Sequence, residues 1–96
     1  MPAYIIARVK VEDPALIKEY MESVPPILSK YGGKFLVRGV PKHTLEGPIE
    51  SRRVVVIEFP TLSDAEAYYH SEEYTAARKL RDWVAVAEFV AVDGYE

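Results

Sequence analysis

The feature that most constrains the fold is a run of β-branched residues in the middle of the chain. Residues 52–59 read Arg-Arg-Val-Val-Val-Ile-Glu-Phe and are followed by Pro60, a composition typical of a β-strand. Side chains of a strand point alternately to opposite sides of the sheet, so both faces of this strand are apolar. Such a strand needs cover on both sides. We therefore expect a central strand with helices on one face and a second subunit on the other.

Three further strands are predicted from alternating apolar residues. They span residues 4–11, 34–38 and 84–92. With the central strand and the intervening helices they give the order β-α-β-β-α-β, which is typical of a ferredoxin-like α+β fold. Right-handed crossovers then place the four antiparallel strands in the order 4-1-3-2, with the helices on one face. We expect a single domain over residues 1–96.

Capping residues delimit the predicted helices. The first helix begins at an Asp-Pro pair and spans residues 13–31, where two glycines end it. Pro25 and Pro26 remove two backbone donors and predict a kink or a short break. A capping box from Ser63 begins the second helix, and Ser71 caps a third that runs to about residue 83.

Composition narrows the function classes. The net charge is −3, so a nucleic acid or an anionic membrane is not an expected partner. The chain has no cysteine, which excludes a disulfide scaffold and a cysteine nucleophile and fits a reducing compartment. No apolar run is long enough for a membrane helix and no signal-peptide pattern opens the chain, so we expect a cytoplasmic protein.

Alternation along the strands divides their side chains between two faces. The set expected to face the helices is Ile5, Ala7, Val9, Phe35, Val37, Val55, Ile57, Phe59, Ala87, Phe89 and Ala91. The opposite face is also largely apolar and carries one charge from each strand. In spatial order these charges are Glu88, Arg8, Glu58 and Arg38. Their alternating signs predict cross-strand ion pairs, and the exposed apolar area predicts a homodimer through this face.

Several segments resemble one protein family. They are residues 32–39 (GGKFLVRG), 45–47 (LEG), 54–60 (VVVIEFP) and 71–74 (SEEY), followed by Arg81. In this order they resemble the domain of unknown function 1330 family, which belongs to the dimeric α+β barrel superfamily. The resemblance implies a dimeric barrel. Its superfamily relatives include cofactor-independent monooxygenases, muconolactone isomerases and haem-degrading enzymes, whereas the family itself has no assigned activity.

The double proline at positions 25 and 26 departs from the family pattern, and we expect it to affect helix geometry rather than function.

Arg38 and Glu46 flank the loop that follows the second strand. Arg38 is able to clamp a carboxylate or enolate oxygen, and Glu46 is able to act as a base if it is partly desolvated. Alternatively, Arg38 pairs with Glu58 or Glu46 and closes the end of the barrel, which is the more common use of such residues.

Tyr74 and Arg81 stand two helical turns apart on one face and match the family motif. A phenol and a guanidinium in this arrangement are able to orient a small acidic or carbonyl substrate. Alternatively, Tyr74 belongs to the core and Arg81 braces a loop. The candidate binding set is Tyr4, Arg38, Glu46, Tyr74 and Arg81.

The two histidines, His43 and His70, lack the clustered partners that a metal site requires, so no metal is predicted. Haem ligation by His70 resembles the haem-degrading relatives in placement only, and no cofactor is predicted.

The leading hypothesis is a homodimer that binds a small anionic or carbonyl-bearing organic molecule in a cleft between sheet and helices. One alternative is a cofactor-independent oxygenase or isomerase, with Glu46 or His43 as base and Arg38 stabilising an oxyanion. Another is a structural or interaction module without a ligand, in which each polar residue has an ion-pair partner. An apolar cavity with converging polar groups favours the first two hypotheses, and a filled barrel favours the third.

Overall fold

The predicted ferredoxin-like α+β architecture is confirmed. A computed structural model describes residues 1–95, so Glu96 of the predicted domain lies outside the described residues. The strands are β1 (Ala3–Val11), β2 (Lys34–Arg38), β3 (Arg53–Phe59) and β4 (Ala85–Asp93). They form one antiparallel sheet in the spatial order β2-β3-β1-β4, which is the predicted order read from the other edge.

The helices lie between the strands in the predicted places. Helix α1 (Lys18–Lys30) follows β1, and α2 (Leu62–His70) and α3 (Glu72–Arg78) follow β3. The predicted end of α3 near residue 83 is wrong, because the helix tightens into a 3₁₀ turn (Lys79–Arg81) after Arg78. The core forms between these helices and the inner face of the sheet. None of the helices described is both long and apolar enough to span a bilayer.

Helix α1 begins later than its cap. The Asp13 side chain accepts a hydrogen bond from the backbone N–H of Ala15 at 3.0 Å, as expected of a capping residue. Residues 14–17 nevertheless form a turn, and α1 begins at Lys18. Pro25 and Pro26 lie inside α1, and the predicted break does not occur, since the helix runs through both of them.

Helix α2 has a different cap from the predicted one. Thr61 Oγ1 accepts a hydrogen bond from the Asp64 backbone N–H at 3.1 Å and donates one to Asp64 Oδ2 at 2.9 Å. The predicted box from Ser63 is therefore wrong, because the helix begins two residues earlier than that box requires. The predicted cap at Ser71 is confirmed, since its Oγ accepts a hydrogen bond from the Tyr74 N–H at 3.0 Å.

Replacing Thr61 with alanine should lower the free energy of unfolding by about 1 kcal/mol, because the Asp64 N–H loses its acceptor. Ser63→Ala is the matched control: this exposed residue is not the cap, and its change should stay within about 0.5 kcal/mol. Urea denaturation of both variants measures the difference. A greater loss in Ser63→Ala than in Thr61→Ala would contradict the observed cap.

An irregularity in β2 changes the face that the end of this strand presents. The register between β2 and β3 shifts at Leu36, so that Val37 lies opposite Val56 and Arg38 lies opposite Val55. A bulge of one residue moves every following side chain to the other face. The predicted assignment of Val37 to the helix face and of Arg38 to the open face is therefore wrong. Arg38 shares the inner face of the sheet with Val55.

The other face of the sheet is open and largely apolar, as predicted. Its apolar side chains are Tyr4, Ile6, Val37, Val54, Val56, Val86, Val90 and Val92. Val86 and Val90 are 62% and 48% exposed. The helices pack on the inner face and leave this one uncovered.

The ion pairs on the open face have other partners than predicted. Arg8 and Glu88 lie opposite each other in register, yet Arg8 pairs with Glu50 at 3.2 Å. Arg52 binds Glu50 at 2.9 Å and also Glu88. The hydrogen bonds from Arg52 lower the pKa of Glu50 to about 2. The carboxylate of Glu50, in the loop between β2 and β3, therefore pairs with both arginines of this face. Arg38 is absent from the face because of the bulge in β2.

Candidate functional site

A cavity lies between the inner face of the sheet and helix α1. Its volume is about 50 Å³, which is room for about three to five water molecules at about 10–15 Å³ each. Its lining is mostly apolar and includes the rings of Phe35, Tyr68 and Phe89. The two charged groups in the lining are the guanidinium groups of Arg38 and Arg53. The cleft predicted between sheet and helices is therefore present and contains a predicted residue.

The Arg38 guanidinium is held against the wall of this cavity. Its Nη2 donates a hydrogen bond to the backbone carbonyl of Met21 at 2.8 Å. Its Cζ lies 4.2 Å from the centre of the Phe35 ring, a distance at which a cation is attracted to the ring. A carbonyl accepts a hydrogen bond without cancelling the positive charge, so Arg38 keeps its charge and its remaining donors.

The cavity shares lining residues with two surface grooves that contain basic side chains. Met21 and Arg53 line both the cavity and two neighbouring grooves. The charged residues of one groove are Lys10, Lys42, Arg52 and Arg53. Gly39, with a φ of +65°, leaves room for Arg53, because a Cβ there would lie 2.5 Å from the Arg53 Cζ. Arg52 pairs with Glu50 and Glu88, and Lys10 lies 3.8 Å from Glu12. Within residues 1–95, Lys42 and Arg53 are therefore the cations of this groove that form no salt bridge.

The arginines beside the cavity have no carboxylate partner. Within residues 1–95, no salt bridge reaches Arg38, Arg53 or Arg81. Glu58, one of the partners considered for Arg38, pairs instead with Lys34 at 3.2 Å. A cation without a counter-ion beside an apolar cavity is suited to bind an anion.

A buried polar cluster of Tyr20, Tyr74 and Arg81 lies behind the cavity. The hydroxyl oxygens of Tyr20 and Tyr74 are 2.7 Å apart. The Arg81 Cζ lies 5.6 Å from the Tyr20 ring centre and 5.3 Å from that of Phe89, and both rings line the cavity. Arg81 is 8% exposed, and its Nε has no partner in the described part of the chain. Burying an incompletely bonded guanidinium costs free energy.

Two buried tyrosines of this region, Tyr68 and Tyr74, have a raised pKa and stay neutral at ordinary pH. Burial raises the pKa of Tyr68, and Tyr74 raises it further. Burial also raises the pKa of Tyr74, followed in effect by Tyr20, whereas Arg81 opposes the shift. Neutral phenols donate hydrogen bonds and do not act as bases. The cluster is therefore suited to hydrogen-bond a carbonyl or carboxylate oxygen.

The structure brings together three of the five predicted binding residues. Arg38 lines the cavity, and Tyr74 and Arg81 lie in the cluster behind it. Tyr4 lies on the open face of the sheet, and Glu46 lies in the exposed loop between β2 and β3. Neither Tyr4 nor Glu46 lines the cavity.

The histidines also lie apart from the cavity. His43 belongs to the exposed loop after β2, and His70 is the last residue of α2. Over residues 1–95, no group of three or more His, Cys, Asp and Glu side chains is placed to hold a metal ion.

Three residues of the site were not predicted from sequence, namely Tyr20, Tyr68 and Arg53. Tyr20 was recognisable as part of the apolar stripe of α1, which faces the sheet. Arg53 was recognisable by alternation, because it precedes Val55 by two residues and so shares its face. Tyr68 carried no comparable signal.

Comparison with known proteins identifies the family. A model of the family described as domain of unknown function (DUF1330) matches residues 2–95. The chain belongs to the DUF1330 family. No match was found among proteins with curated descriptions.

Solved structures similar to this DUF1330 protein share its fold. The RPA0582 protein of unknown function from Rhodopseudomonas palustris is 20% identical, with a TM-score of 0.76 over 99% of this chain and 83% of that chain. A dimeric ferredoxin-like protein of unknown function from Bacteroides fragilis is 18% identical, with a TM-score of 0.64 over 97% and 96%. SnoaB, a cofactor-independent oxygenase from Streptomyces nogalater, is 11% identical, with a TM-score of 0.64 over 99% and 94%. These likenesses show the fold.

Proposed function

We propose that this DUF1330 protein is a homodimer that binds a small anionic or carbonyl-bearing organic molecule in the cavity between the sheet and α1. The observation that carries the proposal is an apolar cavity whose wall holds the Arg38 guanidinium, which has no carboxylate partner in the described part of the chain. Apolar walls with a few placed polar groups are typical of ligand sites. A bound anion supplies the counter-ion that Arg38 lacks.

The proposed ligand lies with its polar end toward the arginines. Arg38 uses one donor on Met21 and offers the others to a carboxylate or carbonyl oxygen. The apolar part of the ligand lies between the rings of Phe35 and Tyr68. Lys42 and Arg53, the cations of the neighbouring groove that form no salt bridge within residues 1–95, attract anions to the cavity.

Cofactor-independent oxygenation or isomerisation is the second candidate. The fold is similar to that of SnoaB, and the cluster of neutral phenols and Arg81 is suited to stabilise an oxyanion. The bases considered for this chemistry, Glu46 and His43, lie in an exposed loop and do not line the cavity. A module without ligand accounts less well for three arginines that have no carboxylate partner among residues 1–95. Binding is therefore the function that the geometry supports best.

A thermal-shift experiment tests the proposal. The wild-type protein is heated with acetate, butyrate or benzoate, and in parallel with the matching neutral amides. We expect at least one acid to raise the melting temperature more than its amide does, because only the acid supplies a counter-ion for Arg38. If neither the acids nor the amides shift the melting temperature, the proposal fails.

A second copy of the chain is the proposed cover for the open face of the sheet. Exposed apolar area of this extent marks an interaction surface or causes aggregation. The Bacteroides fragilis protein of the same fold is dimeric. Two copies related by a two-fold axis present the same apolar face to each other, and their interface should exceed roughly 1,000 Å².

Replacing Val90 with glutamate should convert the dimer to a monomer at micromolar concentration, because the two-fold axis buries two added carboxylates in an apolar interface. Analytical ultracentrifugation measures the change. Ala76→Glu adds the same charge on the exposed side of α3 and should leave the dimer intact. A monomeric wild type would contradict the dimer, and a dimeric Val90→Glu variant would contradict the proposed face.

A further inference from the structure

The carbonyl that anchors Arg38 is left without a donor by its own helix. In an α-helix the N–H of each residue bonds to the carbonyl four residues earlier. Pro25, inside α1, has no N–H, so the Met21 carbonyl has no partner at that position of the helix. The Arg38 Nη2 occupies this place at 2.8 Å.

Two backbone irregularities therefore meet at one hydrogen bond. The register shift at Leu36 turns Arg38 to the inner face of the sheet, and Pro25 leaves the Met21 carbonyl free to receive it. Both features favour this bond: a regular β2 would place Arg38 on the open face, and an N–H at position 25 would compete with the guanidinium for the Met21 carbonyl and draw that carbonyl into the helix.

The two prolines are not equivalent in this respect. Pro26 leaves the Glu22 carbonyl without a helical donor, and both of these residues are exposed, so water can bond there. Pro25 is half-buried and lines a groove at the mouth of the cavity together with Arg38 and Met21. Only Pro25 thus acts on a group that lines the cavity.

We propose that Pro25 is a positioning residue for Arg38. Its missing N–H reserves the Met21 carbonyl as an anchor that holds the guanidinium at the cavity wall and leaves its charge uncompensated. A carboxylate anchor would hold the side chain equally well but would neutralise it. The double proline, expected from the sequence to affect geometry alone, thereby gains a functional part. Its effect on ligand binding rests on the proposed function, whereas its effect on Arg38 does not.

The variant Pro25→Ala tests the positioning directly. Alanine restores a helical N–H to the Met21 carbonyl and favours the helix, so the variant should fold. In ¹⁵N NMR spectra of the free protein, we expect distinct, slowly exchanging guanidinium signals for Arg38 in the wild type. In Pro25→Ala these signals should average and exchange faster. The loss of these signals in Arg38→Met assigns them to Arg38. Pro26→Ala is the matched control and should retain the signals.

Benzoate titration provides the second readout. We expect Pro25→Ala to bind benzoate about two- to tenfold more weakly than the wild type, because the guanidinium must be immobilised on binding, and Pro26→Ala to bind it unchanged. Unaltered Arg38 signals in Pro25→Ala, or equal changes in both proline variants, would overturn the positioning role. Altered signals only in Pro25→Ala support that role even if benzoate fails to bind any of the proteins, a result that would count against the proposed function alone.

Discussion

Replacing Tyr68 with alanine should lower the free energy of unfolding by about 3–5 kcal/mol. Tyr68 is buried, and its ring centre lies 5.3 Å from that of Phe59 and 4.8 Å from that of Tyr74, so its removal leaves a hole among rings that cannot collapse. Domains of this size are stable by only about 5–15 kcal/mol. Urea denaturation should therefore show a protein close to the limit of folding, while Tyr68→Phe, which keeps the ring, should lose about 1 kcal/mol or less.

The same substitution also tests the position of Tyr68 in the cavity wall. Because Tyr68 lines the cavity, its removal should enlarge the apolar space that is open to an aromatic molecule. Benzene should then raise the melting temperature of Tyr68→Ala by more than it raises that of Tyr68→Phe. An equal response in the two variants would mean that the lost ring does not border the cavity.

The sheet could be predicted because its pattern is simple where the strands are regular. In β1 and β3, apolar side chains alternate faces without interruption, and the pairing of Ile5 with Ile57 and of Ala7 with Val55 follows that alternation. A central strand that is apolar on both faces also required cover on both sides. Both are properties of whole segments, and the amino-acid composition of a strand and the spacing of its apolar residues reveal them.

The register shift at Leu36 could not be predicted, because a bulge leaves the amino-acid composition of the strand unchanged. One unpaired residue is enough to exchange Val37 and Arg38 between faces. The prediction of the α2 cap failed for a similar reason. Thr61 and Ser63 each precede an acidic residue by three positions, so both fit the sequence pattern of a helix cap. The structure shows Thr61 as the cap, two residues after β3 ends at Phe59.

The candidate site could be predicted from the sequence only in part. Tyr74 and Arg81 were expected on one face of a single helix, and both lie beside the cavity. The helix itself ends at Arg78, and Arg81 belongs to the 3₁₀ turn that follows it. Glu46 lies in a loop whose path the sequence does not determine. Tyr4 alternates with Ile5, which faces the helices, so its place on the open face follows from the period of the strand.

Replacing Arg38 with methionine should weaken benzoate binding by about 10- to 150-fold. A hydrogen bond to a charged group contributes about 1.5–3 kcal/mol, and each 1.4 kcal/mol is a factor of ten in affinity. Arg38→Lys should fall between the wild type and Arg38→Met, because lysine keeps the charge but loses the two-pronged geometry. Isothermal titration calorimetry of the three proteins measures the series.

Two controls separate charge from packing in that result. Arg78→Met removes a guanidinium that bonds the Tyr69 hydroxyl at 2.8 Å and that does not line the cavity, so it should leave benzoate affinity unchanged. Benzamide should bind Arg38→Met almost as well as the wild type, because it carries no charge to lose. If Arg38→Met weakens benzoate and benzamide equally, Arg38 acts through its contact with the ring of Phe35 or through its neutral hydrogen bonds. The ligand would then be a carbonyl compound rather than an acid, held by donors that do not discriminate charge.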